Sequence, residues 1–213
     1  MPTRTPAQTE MSKIYVDMIR LLFEIVLGLS FTLLTRHTSE GGFREWFVDP
    51  LTNLSGILTL VLIYTLIITS FVGYHQSTKS FPILKPWRFV IDIALLFLYF
   101  VAIVVAQKFQ DVLLVFVTIF FLYVIWNSVR VIEYTGDEDA KNLLMESFRS
   151  FGVFVLSLFG YFGFTYLKSR IEWIDLVVGV GLLVLLLVFR ALTFRKYMEN
   201  DGEKTENSES SEQ

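Results

Sequence analysis

The chain has 213 residues, of which 54% are hydrophobic, 16% are aromatic and 18% are charged. Its mean hydropathy is +0.56, and its charged fraction lies below the about 25% of a soluble domain. With no cysteine in the sequence, this composition excludes a soluble enzyme, a disordered chain, a disulfide scaffold and sites that need thiolate ligands. The net charge of −3 comes from the C-terminal end, because the chain up to Met198 holds 17 basic and 15 acidic residues.

Six segments are apolar enough over about 20 residues to cross a bilayer as helices. Their apolar runs are continuous rather than alternating, which favours helices over a β-barrel. The predicted fold is therefore an all-α integral membrane protein, a six-helix transmembrane bundle over residues 14–196. The six predicted helices cover residues 14–35, 51–74, 87–107, 111–134, 147–167 and 172–194. Residues 1–13 and the acidic tail 197–213 have too little apolar surface to bury and are predicted to be disordered.

The distribution of Lys and Arg predicts the orientation of this bundle. Eleven of these residues fall on the side of the N-terminus and five on the opposite side. By the positive-inside rule, both termini are predicted to be cytoplasmic, in the cell membrane. The tryptophans fit the same frame as interfacial anchors, with Trp46 and Trp173 at one membrane surface and Trp87 and Trp126 at or near the other.

Ionisable residues inside the predicted helices are the main functional signal. Such residues are costly in a bilayer and usually face the interior of a bundle. Spacings of three or four residues place the polar groups of each helix on one face, and most of the ionisable ones lie near the cytoplasmic end. A cluster is predicted there, and its members are Arg20, Glu24, Arg88, Asp92, Asn127 and Arg130, with Arg190 as a further member. Asp175, near the outer end of the sixth helix, is a separate candidate.

Two interpretations of these charges stay open at the level of sequence. They line the path of an ion or solute, or bind an anionic headgroup. Alternatively, they neutralise one another as internal salt bridges that fix the register of the helices.

The first helix has a partial resemblance to a known channel family. Six helices in about 200 residues with cytoplasmic termini resemble the prokaryotic relatives of the lysosomal potassium channel, whose first helix begins with Arg followed by Phe-Ser-Asp. Here Arg20-Leu-Leu-Phe23-Glu24 supplies an Arg, a Phe and an acid at a different spacing, without Ser-Asp. The resemblance covers the topology and part of the first helix, and no pore residue is carried over from it.

The sequence predicts a small transport protein, a channel or carrier for an ion or solute, that acts as a homo-oligomer. The alternative is a non-catalytic membrane subunit or adaptor that contacts a partner protein through the loop 135–146 or the acidic tail. An enzyme is not predicted, because no catalytic motif is present. No cofactor or nucleic-acid partner is predicted either. A metal ion is not predicted, because the two histidines, His37 and His75, fall on opposite sides of the bilayer and cannot share one.

Overall fold

A computed structural model describes the backbone of residues 6–39, 53–80, 83, 86–134 and 140–209. Its description of side chains covers residues 10–32, 53–78, 83, 86–134, 141 and 143–192. Over this part of the chain the structure consists of α-helices and contains no strand. The helices are α1 (Pro6–Ser39), α2 (Leu54–Ser80), α3 (Pro86–Val104), α4 (Phe109–Glu133), α5 (Ala140–Leu167) and α6 (Ile174–Glu209).

Five of these helices, α2 to α6, are long and apolar enough to span a membrane within the described residues. The spanning stretches are Leu54–Thr78, Pro86–Val104, Phe109–Glu133, Leu143–Leu167 and Ile174–Leu192. Large apolar side chains also point outward, among them Phe97, Phe159 and Phe162, which suits helices surrounded by lipid. The protein is therefore a helical bundle compatible with a membrane. The span predicted for the first helix and the orientation of the termini stay predictions.

The ends of the first and last helices differ from the predicted boundaries. Helix α1 begins at Pro6 rather than at residue 14, and Ser12 is buried and accepts a hydrogen bond from the backbone N–H of Ile83 at 3.1 Å. This contact anchors a turn that the sequence placed in a disordered segment. Helix α6 continues to Glu209, past the predicted end at residue 194. The extension contains no proline, and its four Glu and two Lys favour a helix and offset the poor helix formers Asn200, Asp201 and Gly202.

Tight turns join α3 to α4 and α5 to α6, as the short predicted loops require. The N–H of Lys108 donates to Val105 at 2.9 Å, and the N–H of Arg170 donates to Leu167 at 2.8 Å. Both turns lie at one end of the bundle. The other end, where α2 and α4 terminate and α3 and α5 begin, is called the polar end below. The sequence predicts that the polar end is cytoplasmic.

The interior of the bundle is divided into two halves. In the half away from the polar end, apolar side chains fill the space between helices, including Leu62, Leu113 and Phe116. Phe109 and Phe164 pack edge to face there, with ring centroids 5.3 Å apart. The half toward the polar end instead contains buried charged and hydroxyl side chains. The most extensive helix contacts, α4 with α5 and α2 with α6, bring these side chains together.

Candidate functional site

The polar half of the bundle contains a cluster of buried charged and polar side chains from α3, α4 and α6. Five of the eight residues singled out in the sequence belong to it. Their residue exposures are 0% for Arg88, 3% for Asp92, 7% for Asn127, 1% for Arg130 and 7% for Arg190. This set, with the carboxylates and hydroxyls that contact it, is called the polar cluster.

Two of the three arginines in the polar cluster form ion pairs between helices. Arg88 on α3 lies 3.6 Å from the carboxylate of Glu133 on α4, and both side chains are fully buried. Arg130 on α4 lies 3.0 Å from Glu146 near the start of α5. Each pair therefore ties two neighbouring helices together at the polar end.

Trp126 on α4 separates these two arginines. The guanidinium carbon of Arg88 lies 4.8 Å from the centroid of the Trp126 ring, and that of Arg130 lies 4.7 Å from it. The indole N–H donates to Asp92 Oδ1 at 2.7 Å. The ring attracts both cations through its π face, while its polar edge binds the carboxylate. One side chain thus organises three charges.

Asn127 extends the cluster to α5. Its amide nitrogen donates to the hydroxyl of Ser150 at 2.7 Å, and its amide oxygen accepts from Arg130 at 3.1 Å. Because a buried amide needs partners for both its ends, this arrangement fixes the rotation of α5 relative to α4.

Arg190 on α6 has a different environment from the other two arginines. Its Nη2 donates to Ser70 Oγ at 2.8 Å and to the hydroxyl of Tyr123 at 2.9 Å. Tyr123 in turn donates to Ser70 and hydrogen-bonds the hydroxyl of Tyr99. The guanidinium of Arg190 is therefore held by hydroxyl groups from α2 and α4. No carboxylate of the described side chains forms an ion pair with it.

A cavity lies among these groups. Its volume, counted as room for the centres of water molecules, is about 60 Å³, whereas one water needs about 10–15 Å³ on this measure. The cavity thus has room for several waters or for a small solute. Its polar lining consists of Ser70, Tyr74, Ser77, Asp92, Tyr99, Tyr123, Asn127, Arg130, Glu146, Arg149, Ser150 and Arg190. Arg149 is the exposed member of this lining, so the cavity reaches the surface of the bundle beside α5.

Three predicted residues are not brought into the polar cluster. Arg20 and Glu24 pair with each other at 3.3 Å on α1, where their side chains are 62% and 58% exposed. The face of α1 that packs on the bundle carries Ile19 and Phe23 instead. Asp175 is half-buried in the first turn of α6, at the end opposite the polar end. The sequence placed Asp175 apart from the others, but it grouped Arg20 and Glu24 with them.

Several residues that contact these five were not predicted from the sequence, among them Trp126, Glu133, Glu146 and Ser70. Trp126 was assigned to the membrane surface, but it is 8% exposed and lies between two arginines. Glu133 and Glu146 flank the loop between α4 and α5, a position where acids are ordinarily solvated, but each lies beside a buried arginine. A spacing signal was present for Glu133, which lies three residues after Arg130 and therefore on the same side of α4.

The described residues contain no group of three or more His, Asp or Glu side chains placed to hold a metal ion. The guanidinium, carboxylate and hydroxyl groups that line the cavity supply hydrogen bonds and charges to a ligand. Comparisons with protein families, with curated proteins and with solved structures found no match for this chain.

Proposed function

We propose that the protein is a non-enzymatic membrane transport protein, a channel or carrier for a small ion or solute, that works as a homo-oligomer. It would lie in the cell membrane with both termini cytoplasmic. The observation that carries this proposal is the charged cavity in the polar half of the bundle. Buried charges cost several kcal/mol in a bilayer and mark solute paths in many membrane proteins.

The shape of the cavity favours a carrier over an open channel. Its lining extends from the exposed Arg149 on α5 to the buried Arg190 on α6. Beyond Arg190, apolar side chains such as Leu113 and Phe116 fill the bundle. A cavity that opens toward one end and is closed toward the other is what alternating access requires of a carrier.

The outward face of α1 supports the oligomeric part of the proposal. Asp17, Arg20 and Glu24 are exposed along this face, next to apolar residues such as Leu21 and Ile25. Polar groups of this kind are costly when they face lipid. The same face on a second copy offers charges of both signs, so a symmetric contact can satisfy them.

Flux into liposomes tests the proposal. The purified full-length protein is reconstituted, and uptake is measured for potassium, chloride, acetate and glycerol. We expect uptake of at least one solute above that of protein-free liposomes, and we expect Arg190→Gln to reduce it. Arg170→Gln is the matched control, because Arg170 lies exposed in the turn between α5 and α6. Folded protein that transports none of these solutes, but retains a second protein during purification, would instead support a membrane subunit or adaptor.

The absence of cysteine from the sequence allows a clean test of orientation. Ser169→Cys places a thiol in the exposed α5–α6 turn, and Ser208→Cys places one near the C-terminus. A thiol reagent that does not cross membranes should label Ser208→Cys from the cytoplasmic side and Ser169→Cys from the other side. Labelling of both variants from one side would contradict the proposed topology.

A further inference from the structure

We propose that the inner end of the cavity binds a single oxyanion group, a carboxylate or a phosphate, with Arg190 as its charged ligand. This inference rests on the proposed function in one respect only: it names the chemical class of the solute. Binding itself can be measured without transport.

The three buried arginines differ in their partners. Arg88 and Arg130 each lie within 4 Å of a carboxylate, Glu133 and Glu146 respectively. Arg190 is also buried, at 7% exposure, yet its hydrogen bonds within the described residues go to two neutral hydroxyls. A buried charge without a counter-charge is strongly unfavourable, so a negative group that enters the cavity gains a large interaction at this position.

Arg190 still offers donors that the hydroxyl groups do not use. A guanidinium has five N–H donors in a plane, and both of the hydrogen bonds described above start from Nη2. The Nε atom is buried and has no hydrogen-bond partner. An oxygen of a carboxylate or a phosphate can therefore accept a charge-assisted hydrogen bond from Nε–H.

The hydroxyl groups hold Arg190 in place without neutralising it. Ser70 donates its hydrogen to the carbonyl of Leu66, and Tyr123 donates its hydrogen to Ser70. Both oxygens therefore present lone pairs to the guanidinium. The guanidinium carbon also lies 5.3 Å from the centroid of the Tyr123 ring and 5.5 Å from that of Phe189. These contacts orient the guanidinium before a ligand arrives, which reduces the entropic cost of binding.

The acids of the lining confine the anion to this inner end. Glu146 is paired with Arg130 near the mouth. Asp92 lies seven residues before Tyr99 on α3, which is about 10 Å along the helix. A second negative group on the ligand would approach Asp92 and be repelled. The site therefore disfavours a ligand that carries a second anionic group beside Asp92.

The test measures binding to the purified full-length protein in detergent. Sodium acetate and sodium phosphate are the probes, and sodium chloride at the same ionic strength is the control. Isothermal titration calorimetry should detect binding of at least one oxyanion. Arg190→Gln should weaken that binding about tenfold to a hundredfold, while Arg170→Gln should leave it unchanged. Binding that is equally strong in Arg190→Gln, or absent from folded wild-type protein in this and the lipid experiment, would overturn the proposal.

Two additional variants keep the test informative if Arg190→Gln does not fold. Arg190→Lys retains the positive charge and should keep weak binding. Tyr123→Phe removes one hydroxyl partner but leaves the guanidinium, so binding should fall by only a few fold. Complete loss of binding in folded Tyr123→Phe, with no loss in Arg190→Lys, would assign recognition to the hydroxyls and overturn the role of Arg190.

A lipid experiment separates the two sources of an oxyanion. Native mass spectrometry is run on protein exposed to mixed phosphatidylglycerol and phosphatidylcholine. Retention of phosphatidylglycerol that is lost in Arg190→Gln, without binding of free phosphate or acetate, would identify a lipid headgroup as the ligand. Binding of the free ions would identify a soluble anion. Glycerol or potassium flux without any oxyanion binding would reject this inference and leave the proposed transport function standing.

Discussion

Two ion pairs in this protein join the same types of residue in opposite surroundings. Arg20 and Glu24 lie 3.3 Å apart on the outward face of α1, with side chains 62% and 58% exposed. Arg88 and Glu133 lie 3.6 Å apart between α3 and α4, and both side chains are 0% exposed. The two distances are similar, so the surroundings of each pair decide how much it contributes to the stability of the fold. An exposed pair contributes little to stability, whereas breaking a buried pair leaves an uncompensated charge inside the fold.

The sharpest test of this comparison removes one partner from the buried pair. Glu133→Gln should lower the free energy of unfolding by about 3–5 kcal/mol, because the fully buried Arg88 loses the carboxylate that lies beside it. Unfolding of the detergent-solubilised protein, followed by near-UV circular dichroism, gives this value. Glu24→Gln is the matched control. Equal losses in the two variants would remove the distinction between the pairs.

A double variant then identifies the cause of the loss. Arg88→Gln combined with Glu133→Gln removes both charges, so it should be more stable than Glu133→Gln alone. If the effects of the two substitutions on the free energy of unfolding are instead additive, the ion pair is not what stabilises this junction between α3 and α4.

The next largest effect concerns the tryptophan between the buried arginines. Trp126→Phe keeps an aromatic ring near Arg88 and Arg130 but removes the indole N–H that donates to Asp92. We expect a loss of about 1–3 kcal/mol, the cost of leaving a buried polar group without its partner. Trp173→Phe, at a position 66% exposed near the other end of the bundle, should change the free energy of unfolding by less than about 0.5 kcal/mol. A similar loss in both variants would argue against a special role for Trp126.

The smallest effect on stability is expected at the exposed pair. Arg20→Gln should change the free energy of unfolding of the protomer by less than about 1 kcal/mol. Because this face of α1 is proposed to meet a second copy, the same change should lower the fraction of oligomer measured by mass photometry. An unchanged oligomer distribution would show that this face does not carry the contact between copies.

The sequence predicted depth along the helices better than rotation about their axes. Residue counting placed Arg88, Asp92 and Arg130 near one end of the bundle, and the structure brings them together there. The same count grouped Arg20 and Glu24 with them, but the polar stripe of α1 faces outward. Both faces of this helix are largely apolar in sequence, so periodicity alone does not indicate which face packs on the bundle.

The partners of the buried charges were also beyond sequence reasoning. Glu133 and Glu146 lie on either side of the loop between α4 and α5, where acids are ordinarily solvated. They reach Arg88 and Arg130 only because α4 packs closely on both α3 and α5. The rule for interfacial tryptophans predicts Trp126 at the membrane surface. It is buried instead, because its ring contacts Arg88 and Arg130 inside the bundle.

The Arg88–Glu133 pair also bears on how the chain enters the membrane during synthesis. Arg88 stands near the start of α3 and Glu133 at the end of α4, so the two residues close the base of one helical hairpin. Each helix alone would carry an unneutralised charge near its end, where the cost of insertion is below the about 2.5–3.5 kcal/mol of a charged residue at the centre of a helix. The cost falls when the two helices leave the translocon as a unit with the pair already formed. Formation of the pair would therefore favour entry of α3 and α4 into a membrane as one hairpin from Pro86 to Glu133.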